Sequence, residues 1–246
     1  MLWLARSEYQ LLLEDSINVE DVVLFPVSET ESQGMEDMRL VHFVDEDGRS
    51  TYFGTYTAYN GRQILPQLLE ITEPYRANIH VLRGRYAQNK GMALFPRRID
   101  GQYAMIARID GENLFLLKSD SFDYWDSAAQ ILQPEYDWEF VQIGNCGSPI
   151  YTEAGWLLLT HGVGPMRKYC IGAVLLDLND PSKIVGRLDQ PLLSPTEEER
   201  AGYVPNVVYS CGAMIHNGLL VIPYGISDAA TGFAIVNKEQ VLGRMV

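Results

Sequence analysis

The sequence predicts an all-β fold of the β-propeller type, and a repeating turn is the main observation behind this prediction. Four turn glycines each stand directly before an apolar strand: Gly48, Gly101, Gly155 and Gly218. The intervals between them are 53, 54 and 63 residues, and a period of about 50 residues with several strands per unit is typical of propeller blades. Helical periodicity is weak along the chain, which leaves strands as the dominant element.

Each unit of the repeat is predicted to contain at least two apolar strands. A strand at 40–44 precedes the first turn, the strands directly after the turns cover 51–57, 103–107, 156–159 and 219–223, and further strands follow at 113–118, 171–176 and 232–236. A short helix is predicted at 238–245. The strands after the turns end at polar residues, namely Asn60, Arg108, His161 and Tyr224. We expect these to be the inner strands of neighbouring blades, with their ends around one central pocket.

Composition and charge limit the partners of the chain. Its 246 residues carry a formal net charge of −13, and 47% of them are hydrophobic, which is ample for a core. Nucleic acids and anionic membranes are bound through basic surfaces, so this charge argues against both as partners. A bound anion would require a local group of Lys, Arg and His side chains acting against the overall field.

The cysteines and the N-terminal residues predict a cytoplasmic protein without a metal site. Cys146, Cys170 and Cys211 are odd in number and far apart, and they match neither a disulfide framework nor a metal-binding spacing. No apolar run approaches the roughly 20 residues that cross a bilayer. The first ten residues contain Arg6 and Glu8 within their apolar part, which is unlike a signal peptide.

The stretch from Gly144 to Asp177 places polar side chains at the ends of two short strands. It reads GNCGSPIYTEAGWLLLTHGVGPMRKYCIGAVLLD. His161 ends the first strand, and a cationic loop leads through Tyr169 into the second. A His and a Tyr at the mouth of a sheet could hold an anion or a sugar. A simple hairpin with an exposed His is the alternative, and this segment alone favours it.

Several motifs together resemble glycoside hydrolase family 130, which comprises β-mannoside phosphorylases and some β-mannosidases on a five-bladed propeller. The motifs are GMEDMR, TYTAYNG, NKGMALFPRRIDGQYAMIAR, GSPIYTEAGWLLLTHGV, YCIGAVLLDLNDPSKIVGRL, GYVPNVVYSCG and YGISDAATGFA. They run in order from about residue 34 to the C-terminus. The resemblance implies a single propeller-type catalytic domain over 1–246 with four full blades and a largely missing first blade. Residues 1–33 would be the remnant of that blade, with LWLARS at 2–7 as the end of a strand.

The resemblance also implies a phosphate site. The matching positions are Lys90, Arg108, His161 and Tyr169, which offer charge-assisted donors and a phenol hydroxyl to a dianion. A further position of this ring is usually Lys in the family and is Gln142 here, a departure that weakens phosphate binding without abolishing it.

The sugar side of the family's pocket matches residues that can hydrogen-bond hydroxyls or offer ring faces. These are Tyr59, Asn206, Tyr209, Asp228 and Glu36.

The most serious departure from the family pattern is Asn60 in TYTAYNG, where the family usually has the Asp that acts as general acid. An amide has no proton to give, so Asn60 cannot fill that role. Either another carboxyl acts instead, with Asp37, Glu36 and Asp228 as candidates and Asp37 preferred, or the protein binds sugar without efficient catalysis. Asn60-Gly61 is also a favoured hairpin pair, and both roles can hold at once.

The function predicted from these residues is cleavage of β-mannosides, with inverting phosphorolysis to mannose 1-phosphate as the first hypothesis. Hydrolysis of the same bond and non-catalytic sugar binding are the alternatives, favoured by Gln142 and by Asn60 respectively. The expected partners are a β-mannoside oligosaccharide and inorganic phosphate as co-substrate, with no other cofactor. The sequence leaves open whether the chain forms a homo-oligomer.

Overall fold

Four antiparallel sheets follow one another along the chain in a computed structural model that describes residues 6–14, 17–73 and 75–246. The first sheet has the order β1-β5-β4-β3-β2 and the second the order β6-β7-β8-β9. The strands of the first are β1 (Tyr9–Leu12), β2 (Gly34–Val44), β3 (Ser50–Tyr59), β4 (Ile64–Glu73) and β5 (Arg76–Val81). Those of the second are β6 (Lys90–Leu94), β7 (Tyr103–Arg108), β8 (Leu114–Ser119) and β9 (Ser127–Leu132).

The third and fourth sheets each begin with an interrupted strand. The third has the order β10-β12-β13-β14 with β11 also paired to β12, and in the fourth β15, β16 and β18 all pair with β17. The strands of the third are β10 (Gln142–Asn145), β11 (Ile150–Thr152), β12 (Gly155–Val163), β13 (Tyr169–Leu176) and β14 (Ile184–Arg187). Those of the fourth are β15 (Val208–Tyr209), β16 (Met214–His216), β17 (Leu219–Ile226) and β18 (Ala230–Asn237), followed by the helix α1 (Lys238–Leu242).

The sheets are blades of a β-propeller, because each packs face to face on the next. Alternate side chains of successive strands form three apolar layers, between the first and second, second and third, and third and fourth sheets. Trp125 lies fully buried in the first layer and Trp156 in the second. The predicted all-β propeller with four blades is therefore confirmed, and the predicted strands coincide with parts of β2, β3, β7, β8, β12, β13, β17 and β18.

One detail of the predicted architecture was wrong. The strands that end at Asn60, Arg108, His161 and Tyr224 are the second strands of their sheets, not the first. The strands before the turns lie at the axis, since Arg39 on β2 reaches both Asn145 on β10 and Tyr209 on β15. The turn glycines join the axial strand of each blade to its neighbour.

The described residues before Gly34 pack against the first sheet: β1 forms its outer edge, and Leu24 packs on the apolar group of Tyr56, Ala58, Leu69 and Ile79. The Glu31 carboxylate is buried there and accepts hydrogen bonds from the hydroxyls of Tyr56 (2.6 Å) and Tyr9 (2.9 Å). Burial alone would raise the pKa of Glu31, but these bonds and those from the backbone at Ser28 outweigh it and lower the pKa. The strand expected in LWLARS lies largely outside the described residues, and its last two positions form a turn.

The free face of the fourth sheet is apolar and uncovered. Leu220 and Ile222 on one face of β17 are buried in the third layer. On the other face, Phe233 is 70% and Ile235 63% exposed, and Met214 and Leu219 are also exposed. In the described part of the chain, no helix is long and apolar enough to cross a membrane.

Candidate active site

A β-bulge in the axial strand of the first blade places Asp37 at the centre of the molecule. The pairing of β2 with β3 shifts register between Glu36 and Arg39, and Asp37 has a φ of 58°. Left-handed backbone at a non-glycine residue is uncommon, and Asp tolerates it better than most. One carboxylate oxygen of Asp37 accepts a hydrogen bond from the Tyr209 hydroxyl at 3.3 Å, and the other lies 3.9 Å from the Cys211 sulfur.

Arg39 is a buried cation that joins three blades. Its Nε donates to the Asn145 side-chain oxygen at 2.9 Å and its Nη2 to the Tyr209 hydroxyl at 2.7 Å. Its Nη1 donates to the Asp37 backbone carbonyl at 2.7 Å. Arg39 thus fixes the bulged backbone of Asp37 rather than forming a hydrogen bond with its carboxylate.

Asn145 connects Arg39 to His161. Its side-chain oxygen accepts from Arg39 and from the Gly147 N–H, and its amide nitrogen donates to the Gly91 carbonyl on β6. Its backbone carbonyl lies 3.2 Å from Nδ1 of His161. Asn145 is fully buried, and these hydrogen bonds satisfy its polar groups away from water.

His161 is buried and neutral. Burial lowers its pKa well below the ordinary value, and the nearby Arg108 and Arg39 guanidinium groups lower it further. Because Nδ1 faces a carbonyl, it carries the proton, and Nε2 is then an acceptor 3.5 Å from Nη1 of Arg108. The ring fits above Gly144 of the neighbouring strand, where a Cβ atom would lie 2.2 Å from it.

This arrangement corrects the expected role of His161. The family resemblance implied a charge-assisted donor at this position, but burial and the two guanidinium groups lower the pKa of His161 and keep it uncharged. His161 is therefore a neutral neighbour of Arg108.

Arg108, Gln142 and Tyr169 complete this group. With the Gln142 amide oriented so that both its atoms have partners, its oxygen accepts from Nη1 of Arg108 at 2.5 Å and its nitrogen donates to the Gly111 carbonyl at 3.2 Å. The Tyr169 hydroxyl lies 3.5 Å from the same amide. The Tyr169 ring stacks on His161 at 5.9 Å between centroids.

Lys90 lies beside this group and has a carboxylate partner. It is the register partner of Arg108 across β6 and β7, and its ammonium forms an ion pair with Glu36 at 2.5 Å. Both side chains are partly exposed. Glu36, considered as an acid and as a sugar ligand, therefore neutralises Lys90 in this structure.

Tyr209 lies between the two halves of the site. Its ring is 4.9 Å from His161 and 6.4 Å from Tyr169. Burial raises the pKa of the Tyr209 hydroxyl, with the Asp37 charge adding to the shift and Arg39 opposing it. The hydroxyl thus remains protonated and donates to Asp37.

Tyr59 and Asn60 lie at the end of β3 in the first blade. Tyr59 pairs with Gly34 on β2, two residues before Glu36. The side-chain oxygen of Asn60 accepts from the backbone N–H groups of Arg62 (3.0 Å) and Gln63 (2.8 Å). Asn60 therefore caps the hairpin turn, which is the structural role that the sequence offered for it.

Asn206 and Asp228 lie on the rim near Tyr169. The Tyr169 N–H donates to the Asn206 carbonyl at 2.9 Å, and the Ser227 N–H donates to the next carbonyl, that of Val207, at 2.8 Å. Asp228 is exposed in the turn between β17 and β18 with a φ of 51°. Their side chains lie at the surface of this rim, whereas Asp37 lies deeper, among buried groups.

Two groups at the site were not assigned from the sequence. Asn145 stood in a stretch that read as a Gly-rich turn, and a polar residue in a buried strand was the available signal. Cys211 was considered only for disulfides and metals, yet its thiol neighbours Asp37, and burial raises its pKa to about 11. Among the described residues, no three His, Cys, Asp or Glu side chains are grouped as metal ligands would be.

Comparison with known proteins identifies the family of the chain. Residues 13–245 match the model of glycoside hydrolase family 130, described as beta-1,4-mannooligosaccharide phosphorylase. The chain is 32% identical over 243 residues to a 1,2-beta-oligomannan phosphorylase from a Thermoanaerobacter species, with 93% of this chain and 77% of that protein covered. It is 35% identical over 237 residues to a beta-1,2-mannobiose phosphorylase from the same source, with 93% and 76% covered.

A solved structure is similar over most of the chain. The beta-1,2-mannobiose phosphorylase of Listeria innocua, in complex with beta-1,2-mannobiose, superposes with a TM-score of 0.77 at 26% identity. The match covers 90% of this chain and 63% of that protein, so this chain spans less than two thirds of its length. The family match over nearly all residues, together with this shared fold, shows that the chain belongs to glycoside hydrolase family 130.

Proposed function

We propose that the protein cleaves β-mannosides by inverting phosphorolysis. An oxygen of inorganic phosphate attacks the anomeric carbon, the glycosidic C–O bond breaks, and the leaving oxygen takes a proton from an acid. Inversion converts the β-linkage to an α-configured mannose 1-phosphate. The phosphorylases similar to this chain carry the same chemistry in their names.

The observation that carries this proposal is the group formed by Arg108, Gln142, His161 and Tyr169. Its charge is concentrated on Arg108, whose Nε is buried and has no hydrogen-bond partner among the described residues. A buried donor of this kind is costly unless a ligand accepts from it, and a phosphate oxygen is a matching acceptor. Lys90 would add a second cation if phosphate displaced Glu36 from it.

The sugar lies, in this proposal, between the phosphate group and Asp37. Tyr209 borders both, while Tyr59, Asn206 and Asp228 line the rim. Asp37 is the preferred general acid, because it lies at the axis, and Arg39 holds its backbone in place without hydrogen-bonding its carboxylate. Positioning of phosphate against the anomeric carbon supplies the main catalytic advantage.

We propose the remaining architecture on physical grounds. The exposed apolar face of the fourth sheet is what a further blade would cover, and Leu24, from the residues before Gly34, packs on the first sheet. This supports a five-bladed architecture in which 1–33 is the remnant of the first blade and 1–246 is one catalytic domain. We also propose that the enzyme is cytoplasmic and needs phosphate but no other cofactor.

The test is incubation of the protein with β-1,2- and β-1,4-mannobiose, with and without phosphate. The expected result is mannose 1-phosphate that forms only when phosphate is present. Free mannose under both conditions would indicate hydrolysis, and binding without turnover would indicate a sugar-binding propeller. Either of those outcomes would overturn the proposal.

A further inference from the structure

A second cavity, of about 530 Å³, lies at the other ends of the strands that build the active site. On β2, Glu36 and Asp37 mark the active-site end, while Val44 lines this cavity. On β12, His161 lies at the active-site end and Trp156 lines this cavity. Five to eight residues of extended strand correspond to about 16–26 Å, so the two sites are well separated.

The blades close tightly around this cavity. The Val44 N–H donates to the Pro96 carbonyl at 2.9 Å, which joins the first blade to the second. Arg98 holds Asp45 with two hydrogen bonds, at 2.7 and 3.3 Å, and its guanidinium lies 3.9 Å from the centre of the Tyr103 ring. These contacts make the wall of the cavity a preformed surface rather than a loose loop.

Aromatic surfaces line the cavity. Tyr151 is 55% exposed and packs edge-on against Trp156 at 5.8 Å, which fixes its orientation. His42, on the opposite wall, is exposed and stacks on Tyr52 at 4.7 Å. Exposed rings held by neighbours offer apolar contact area at low entropic cost.

The polar side chains of the cavity include two that can bind a ligand, and the formal charges of the cavity cancel. The central carbon of the Arg97 guanidinium lies over the Trp156 ring, 5.1 Å from the ring centre. Neither Arg97 nor the Glu46 carboxylate forms a side-chain hydrogen bond or ion pair with another described residue. The formal charges of Asp45, Glu46, Arg97 and Arg98 cancel, so the cavity favours neither an anion nor a cation.

We propose that this cavity is a second, non-catalytic binding site for a neutral oligosaccharide. A sugar ring offers apolar C–H faces to the rings of Tyr151 and His42, and its hydroxyls match the free donors of Arg97 and the acceptors of Glu46. The cavity volume falls within the roughly 300–1,000 Å³ that is usual for small-ligand sites. The site would hold one part of a long chain away from the active site.

The test is calorimetric titration with β-mannotetraose, and with cellotetraose as a second neutral probe. The native protein should show a binding event in addition to sugar binding at the active site, and both events should survive Arg108→Ala, which removes a phosphate contact. Tyr151→Ala and Arg97→Ala should each weaken the additional event by about tenfold, while turnover of mannobiose stays unchanged. Tyr124→Ala and Arg76→Ala, which remove an exposed Tyr and an exposed Arg outside the cavity, serve as matched controls.

The outcomes separate this inference from the proposed function. Binding that is lost in Tyr151→Ala and retained in a protein without phosphorolysis would support the second site even if the proposed activity failed. Wild-type affinity in both Tyr151→Ala and Arg97→Ala would overturn the inference. So would competition between inorganic phosphate and the binding event that depends on Tyr151, because it would show an anion site at this cavity instead.

Discussion

At the scale of one residue, the surroundings of His161 determine its protonation state. The sequence identified it as a candidate donor, and its position beside Arg108 agrees with that. Its protonation state depends on burial and on Arg39, which comes from another blade. Sequence reasoning could therefore find the residue but not its charge.

The neutral state of His161 predicts a specific pH dependence of stability. The unfolded chain binds a proton to His161 as pH falls below about 6.5, while the folded chain does not, so the free energy of unfolding decreases. The slope contributed by this residue approaches about 1.4 kcal/mol per pH unit between pH 6 and 5. Urea titrations at several pH values should show that the free energy of unfolding depends less steeply on pH in His161→Gln than in the native protein. Equal slopes would mean that His161 titrates normally in the folded state.

Arg108 should control the use of phosphate. Replacing it with Ala removes charge-assisted hydrogen bonds of about 1.5–3 kcal/mol, so KM for phosphate should rise about tenfold or more. Sugar binding should change little, because the sugar lies toward Asp37. Initial rates at varied phosphate measure the effect, with Arg49→Ala on the exposed β2–β3 turn as the control. An unchanged phosphate KM would remove Arg108 from the site.

The identity of the acid can be settled by a pair of variants. If Asp37 is the acid, Asp37→Asn should lose about 10²–10⁴ in kcat, and Asn60→Asp should add little, because Asn60 caps a turn. If the protein lost its acid at position 60, Asn60→Asp should raise turnover and Asp37→Asn should not lower it. Rates on one β-mannoside distinguish these cases, and Asp228→Asn is the comparison at the exposed rim.

At the scale of elements, the sequence predicted the strands that follow glycine turns and missed several others. Strand β4, which was not predicted, contains Pro66 and yet pairs with β3 along its length. The axial strands β10 and β15 have only four and two residues. These runs are too short to show an apolar pattern, so the longer second strands gave the stronger signal for the axis.

The Asn145 side chain on strand β10 stabilises the contacts between blades. Replacing Asn145 with Ala leaves the buried Arg39 Nε and the Gly91 carbonyl without partners, and a hydrogen bond to a charged group contributes about 1.5–3 kcal/mol. Chemical denaturation should show at least that loss, together with reduced activity, because Arg39, which holds the Asp37 backbone, loses its side-chain partner on β10. Asn179→Ala, at an exposed loop position, should change neither stability nor activity. A fully stable Asn145→Ala protein would contradict this role.

At the scale of the whole molecule, the propeller was predictable because the glycine turns repeat in register with the blades, and the candidate site residues were identified from motifs along the chain. The network of Arg39, Asn145 and Tyr209 was not, since its members come from three blades and lie more than 60 residues apart in sequence. No local pattern encodes a contact of that range. The second cavity was missed for the same reason.

The exposed apolar face of the fourth sheet and the net charge of the protein have opposite effects on association between copies. A net charge of −13 repels other copies over a distance set by ionic strength. The apolar patch around Phe233 and Ile235 attracts them only at contact. Because the screening length falls from about 10 Å at 0.1 M salt to about 3 Å at 1 M, added NaCl should remove the repulsion and leave the attraction.

Reversible self-association should therefore increase with salt. Light scattering of the native chain should rise between about 0.1 and 1 M NaCl, whereas a Phe233→Ser, Ile235→Thr double variant should scatter equally at both. Its melting temperature should remain close to native, because both side chains are largely exposed. If scattering of the native chain does not depend on salt, this face does not mediate self-association. Salt-free buffers would then offer no advantage for keeping the protein monodisperse.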